Sequence, residues 1–255
     1  MDGEVAIEAD GLTKRYGETV AVDDLSFSVG RGTVYGFLGP NGAGKTTTMR
    51  MLTTLTRPTA GTAAVAGYPI SDRGAVSRRI GYLPEEPPLY DELTGREQLE
   101  YVAGLRDLPP RRVETRIDRL LDRFDLVTDA DKRIEEYSQG MRQKVGVIQA
   151  ILHRPEVVFL DEPTAGLDPR AARTMRRTIA DLACRRSAVF LSTHILSVVE
   201  ELADVIGVIH EGRLVAEGEP GTLAERSTEG DATLEDTFLA VTRDGDELEA
   251  DPLGK

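Results

Sequence analysis

Eight consecutive residues, Gly39-Pro40-Asn41-Gly42-Ala43-Gly44-Lys45-Thr46, fit the pattern G-x-x-x-x-G-K-[ST]. Glycines at this spacing let the backbone curl until successive N–H groups point inward, which is what a chain of phosphate oxygens needs. A helix opening at Lys45 adds the partial positive charge of its N-terminus. In such a cradle the Lys45 ammonium reaches the β- and γ-phosphates, and the Thr46 hydroxyl, with Thr47 beside it, faces Mg²⁺. A second constellation lies far along the chain. Val157-Val158-Phe159-Leu160 is a short apolar run, and Asp161 and Glu162 follow it directly. A carboxylate emerging from the C-terminal end of a buried strand sits where open α/β sheets bind ligands. Asp161 there holds the hydration shell of Mg²⁺, and Glu162 is placed as a general base for a water attacking a γ-phosphate. Alone, an acidic pair after an apolar strand is more often an exposed strand end; the phosphate loop reverses that weighting.

Both constellations require strands to carry them. Val34-Tyr35-Gly36-Phe37-Leu38 reads as a strand running into the loop, and residues 45–55 as a helix, with Met49, Leu52 and Leu55 on one side and Pro58 and Gly61 as its stop. Ahead of it, residues 5–12, 20–22 and 25–29 read as antiparallel strands, broken at Lys14-Arg15-Tyr16-Gly17 and at Asp23-Asp24. Strands resume at 157–160, 188–192, 205–210 and 214–217, with an amphipathic helix over 171–183. This alternation predicts a mainly parallel sheet covered on both faces. Between the halves, residues 86–152 carry helical patterning: Val113, Ile117, Leu120, Leu121 and Phe124 keep a 3.6-residue period. The expected organisation is a P-loop α/β domain over 1–227, with an N-terminal antiparallel β layer and a helical subdomain at about 86–152. A segment over 228–255 with nine acidic and two basic residues follows, holding one short helix near 234–239.

Composition narrows the classes of partner. The chain has 255 residues, 31 Lys and Arg against 44 Asp and Glu, and a net charge of −13. So acidic a surface excludes a general nucleic-acid binder, which needs basic patches to displace counterions. No apolar run approaches the ~20 residues that cross a bilayer, so no direct membrane insertion is expected. Met1-Asp2-Gly3-Glu4 lacks a secretory n-region, which gives a cytoplasmic expectation. Cys184, the single cysteine, has no His or metal-ligand companion and is expected to pack inertly. A guanine-reading N-K-x-D is absent, which sets aside a regulatory GTPase.

Over residues 4–240 the chain resembles the ATP-binding subunits of ABC transporters. Besides the loop and Asp161-Glu162, Tyr137-Ser138-Gln139-Gly140-Met141-Arg142-Gln143 looks like the family's signature stretch, and Ala165-Gly166-Leu167-Asp168 like its D-loop. His194 looks like its switch histidine, and Tyr16 stands where the family stacks an aromatic on adenine. What the resemblance implies is an ATPase using ATP and Mg²⁺, with Gly39 to Thr47 binding phosphate and Lys45, Glu162 and His194 catalytic. It further implies a homodimer in which Ser138 and Gly140 grip the γ-phosphate of the second copy's ATP, although Ser138 also suits a plain helix cap. A separate transmembrane permease subunit is the implied partner, at the cytoplasmic face of the membrane. Two departures stand out: Glu85 falls where the family has a Mg²⁺-sensing Gln, and Gln139 and Met141 replace Gly and Gln of the signature. With Gly39 to Arg57 and Thr233-Leu234-Glu235-Asp236-Thr237-Phe238-Leu239, they look most like the exporter branch typified by daunorubicin-resistance ATPases. The alternative is a soluble ATPase or nucleotide-dependent switch with no transport role.

Overall fold

The computed structural model describes residues 4–225. Ten strands and eight α-helices follow in chain order among them: β1 (Val5–Tyr16), β2 (Thr19–Gly30), β3 (Val34–Leu38), α1 (Lys45–Leu52), β4 (Ala60–Val65), β5 (Tyr68–Pro69), α2 (Arg73–Arg79) and β6 (Ile80–Leu83). Then come α3 (Gly95–Leu105), α4 (Pro110–Arg123), α5 (Gln139–Ile151), β7 (Val157–Asp161), α6 (Pro169–Cys184) and β8 (Ala188–Thr193). The described chain closes with α7 (Leu196–Leu202), β9 (Val205–His210), β10 (Arg213–Gly218) and α8 (Pro220–Glu225).

Two sheets share the work. The antiparallel one has the order β2-β1-β4-β5; the other has the order β10-β9-β3-β8-β7-β6, with only β10 antiparallel. Every residue of β3, β7 and β8 is buried. Their unbroken apolar runs follow from that, since a central parallel strand has helices or a second sheet on both faces. The face toward the antiparallel sheet closes over an aromatic cluster of Phe27, Tyr35, Phe37, Phe159 and Phe190, with neighbouring ring centroids 5.1–6.5 Å apart. On the other face α7 approaches so closely that a Cβ at Gly36 would lie 2.7 Å from Val199 Cγ1. Side chains of α3, α4 and α5 form a core with Leu83, Val158 and Leu160, and Val113, Ile117, Leu120, Leu121 and Phe124 all face into it.

Register places the chemistry. Leu38, the last residue of β3, lies opposite Thr193 of β8, and Asp161 of β7 lies opposite Ser192. The phosphate loop, the acidic pair and His194 therefore leave the sheet at the same end of three adjacent strands.

Several expected boundaries move. Asp23-Asp24 does not break the strand: β2 runs through it, with Asp24 in the left-handed region at φ 53° and a register irregularity opposite. Likewise β1 continues through Lys14 and Arg15 to Tyr16, turning only at Gly17-Glu18. Helix α1 ends at Leu52 rather than Leu55, because Thr54 takes φ 64° and Leu55 turns outward, its N–H bonded to Arg50 O. Within 86–152 the first helix begins only at Gly95. Cys184 does not pack inertly; it is exposed at the end of α6. The expected short helix near 234–239 lies outside the described residues.

Candidate nucleotide site

The loop between β3 and α1 is pinned from several sides. Gly42 and Gly44 take φ 83° and 105°, backbone that side chains with a Cβ rarely adopt. Ala43 N donates to Pro40 O at 3.3 Å, and Ala43 O accepts from Gly212 N at 3.0 Å. At Gly39 a Cβ would lie 2.4 Å from Ile209 O, so the chain must be bare where it passes β9. Lys45 folds back over this loop, its Nζ donating to Gly39 O at 2.7 Å and Pro40 O at 3.0 Å. Burial lowers the pKa of the Lys45 ammonium, opposed by the nearby carboxylates of Glu162, Asp161 and Glu85.

A cavity of about 360 Å³ opens against the loop, lined by Asn41, Gly42, Gly44, Lys45, Thr46, Thr47, Glu85, Asp161, Glu162 and His194, with Ala21 and Ala165. Thr46 Oγ1 donates to Asp161 Oδ2 at 3.0 Å, and the Ser192 hydroxyl donates to Asp161 Oδ1. Both carboxylate oxygens of Asp161 are thus held by neighbouring hydroxyls.

Glu162 is held more tightly still. Only 7% exposed, it takes the unusual φ of 47°, and its N–H donates to Ser192 O at 3.0 Å. A non-glycine residue in this region costs energy that the surroundings must supply, and such residues gather at functional sites. Thr193 Oγ1 donates to Glu162 Oε2 at 2.9 Å, while Oε1 accepts from His194 N at 3.0 Å and pairs with His194 Nδ1 at 2.8 Å. Because a carboxylate offers only acceptors, Nδ1 carries the proton in this pair. That leaves Nε2 of a half-exposed ring available to whatever enters the cavity.

The remaining sequence-derived residues lie outside this wall. Tyr16 is 49% exposed, with Lys14 Nζ 5.0 Å from its ring centroid. Ser138 caps α5 by accepting from Met141 N at 3.2 Å. A Cβ at Gly140 would lie 3.7 Å from Gly166 O, and one at Gly166 3.1 Å from the Gln139 side chain. The signature stretch is therefore packed against the D-loop, with the substituted Gln139 as the contact. Asp168 caps α6 through Arg170 N and Ala171 N, both at 2.9 Å, and those bonds hold its carboxyl below the usual range.

Ser192 and Thr193 were not among the expected site residues, and Gln143 was expected only as the end of the signature stretch. The first two orient Asp161 and Glu162, and Gln143 Nε2 lies 3.4 Å from Glu162 O. The signal for the first two was present: Ser192-Thr193-His194 is a polar run ending a buried strand beside the one that delivers the acidic pair. Gln143 closes the signature stretch, but its approach to Glu162 comes from the fold, which brings α5 beside β7.

A six-stranded, mainly parallel sheet, a phosphate loop opening a helix and an anchored acidic pair define a P-loop nucleotide hydrolase. Residues 22–165 match the family model described as ABC transporter, and the chain belongs to that family as an ATP-binding subunit and ATPase. It is 45% identical to the daunorubicin resistance ATP-binding protein DrrA3 of Streptomyces coeruleorubidus, over 84% of this chain and 68% of that protein. Identity to the bacitracin transport ATP-binding protein BcrA of Bacillus licheniformis is 43%, over 83% and 69%. A solved ATP-binding subunit of an ABC transporter superposes with a TM-score of 0.87 at 32% identity, covering 93% of this chain and 99% of that one.

Proposed function

We propose that the chain binds ATP with Mg²⁺ in the cavity around Lys45 and that hydrolysis there powers a separate transmembrane permease subunit, for export of a small molecule, lipid or ion. The observation that carries the reading is Glu162: a buried carboxylate fixed by three hydrogen bonds at the wall of a cavity whose opposite wall is the phosphate loop. Lys45 and the loop N–H groups bind and orient the phosphates. Glu162 takes the proton of the attacking water, and His194 Nε2 holds that water or the γ-phosphate. The donor set fits Mg²⁺. Thr46 and Asp161 offer two hard oxygens, and among the described residues no cluster of three His, Cys, Asp or Glu forms a protein cage. Mg²⁺ is held by one or two protein oxygens plus substrate phosphates, with Glu85 at the rim as a further ligand. Bound there, it supplies neutralisation of charge on the β- and γ-phosphate oxygens.

Two copies close head to tail in this reading, so that Ser138 and Gly140 of the partner subunit approach the γ-phosphate while Tyr16 stacks on the adenine. Domain organisation follows as 1–227 for the ATPase, with the helices within 86–152 receiving the permease, and 228–255 as an acidic appendix. Among the described residues no helix is long and apolar enough to cross a membrane; attachment at the cytoplasmic face runs through the permease. The exporter assignment is supported by the names of the daunorubicin and bacitracin relatives. The test is sizing chromatography with ATP and Mg²⁺. Glu162→Gln elutes as a nucleotide-loaded dimer and Lys45→Ala as a nucleotide-free monomer; a Glu162→Gln chain that neither retains ATP nor dimerises overturns the proposal.

A further inference from the structure

At the end of the sheet opposite the nucleotide cavity the surface changes sign. Arg154 and Arg185 stand in the connections that lead into β7 and β8, and Arg116 reaches them from α4. These three wall two adjoining cavities of about 640 and 250 Å³, the first extended by Arg186 and the second by Arg112 and Arg119. The two acids of the larger cavity are already engaged: Arg31 takes Glu4 at 3.1 Å and Glu156 at 2.7 Å, and Arg79 takes Glu156 at 3.3 Å. Among the described residues, Arg112, Arg119, Arg154, Arg185 and Arg186 make no ion pair. Arg116 spends its guanidinium on the carbonyls that end α5, Leu152 O at 2.5 Å and Ile151 O at 2.7 Å. Burial, with Arg154 and Arg185 beside it, pushes Arg116 down to about 10. A chain of net charge −13 thus keeps a groove in which, among the described residues, five arginines make no ion pair.

We propose that this groove docks the acidic segment 229–251 of the same chain. Residues 228–255 hold nine acidic side chains and two basic ones, the complement the groove lacks. The path is short. β10 runs to Gly218, opposite Ile206 at the beginning of β9, so α8 starts at the groove's end of the sheet. Three strand spacings separate β10 from β8, roughly 14 Å at ~4.8 Å each. Residues 226–251 span up to roughly 85 Å at ~3.3 Å each. Covalent attachment also gives the segment an effective concentration in the millimolar range, above that of any free polyanion of the same chemistry. Docked, it ties α4 to the connections after α5 and α6, joining the helices to the sheet at a distance from the nucleotide.

Cys184, the one cysteine, is exposed next to Arg185 and carries a nitroxide label for the test on the full chain. At ~0.1 M salt, amide signals of 229–251 lose intensity severalfold relative to the reduced label. At ~1 M salt, where the Debye length falls from about 10 to about 3 Å, the intensity returns. Arg154→Glu with Arg185→Glu, two exposed positions, restores it at low salt. So does Asp244→Asn, Asp246→Asn, Glu247→Gln and Glu249→Gln together, which leaves the groove untouched. Signals that are unbroadened at low salt overturn the proposal, as does broadening that survives both sets of substitutions. The readout does not depend on hydrolysis, so its failure leaves the nucleotide site unaffected.

Discussion

Thr193→Val removes one hydroxyl from the wall behind Glu162 and keeps the shape. Thr193 is fully buried at the end of β8; its Oγ1 donates to Glu162 Oε2 at 2.9 Å and accepts from Ile195 N at 3.1 Å. A hydrogen bond to a charged group contributes ~1.5–3 kcal/mol, and the Ile195 N–H left unpaired costs about 1 kcal/mol more. The valine methyl returns ~0.8 kcal/mol of apolar burial. A net loss of about 2–3 kcal/mol lowers the melting temperature by about 5–10 °C in a domain of this size. Glu162 keeps its two contacts to His194 but loses the one that fixes its other oxygen, and small misplacements of a reacting group cost up to about 100-fold. Steady-state ATPase assays with a thermal melt then show kcat down by about tenfold or more and KM for ATP nearly unchanged, since Lys45 and the loop are untouched. Thr193→Ser, which retains both bonds, restores kcat. A Val variant with wild-type kcat, or a Ser variant as impaired as Val, contradicts this role of Thr193.

Three further outcomes follow from named contacts. Burial, with Arg106 close by, pushes the His153 imidazole down to about 4, although its Nε2 reaches Ile80 O at 2.9 Å. Unfolded, it protonates near ~6.5, so this contribution to stability is complete above that pH and is lost as pH falls toward 4, up to about 3 kcal/mol; melts of His153→Gln between pH 6.5 and 4.5 show a shallower decline, and an unchanged slope contradicts the assignment. Titrating Mg²⁺ against ATPase rate, Glu85→Gln keeps most activity but reaches half-maximum at higher free Mg²⁺, since a neutral amide holds a hard cation more weakly than a carboxylate, whereas Glu85→Ala loses much of kcat; three superimposable curves rule out a metal role for Glu85. Ser138→Ala loses the α5 cap, about 1 kcal/mol in a denaturant melt, and abolishes ATP-dependent dimerisation in the Glu162→Gln background without weakening nucleotide binding to the monomer; persistence of that dimer contradicts the proposed grip.

Much of the fold was legible because the central strands are continuous apolar runs and the loop pattern needs a strand before it and a helix after it. Strands β7, β8, β9 and β10 lie within one residue of their expected ends. What the residue types concealed was the left-handed backbone at Asp24 and Thr54, where bulge and turn geometry override local propensity. β4, β5 and α2 were not anticipated, being short elements, Gly-rich or polar, whose identity comes from pairing with β1 and packing on β5 and β6. In the site, single residues could be placed by motif, but their anchoring could not: Ser192 and Thr193 reach the acidic pair only through the β7–β8 register.

In the proposed mechanism Glu162, held by Thr193 and His194, performs the proton transfer of ATP hydrolysis in this cavity. Its most direct test is a single-turnover measurement of phosphate release from ATP with Mg²⁺, comparing wild type with Glu162→Gln after both are shown to bind ATP. Loss of a positioned general base costs about 10²- to 10⁴-fold, so wild type converts its bound ATP while the Gln variant holds it intact over the same interval. Release at comparable rates from the two proteins contradicts the account.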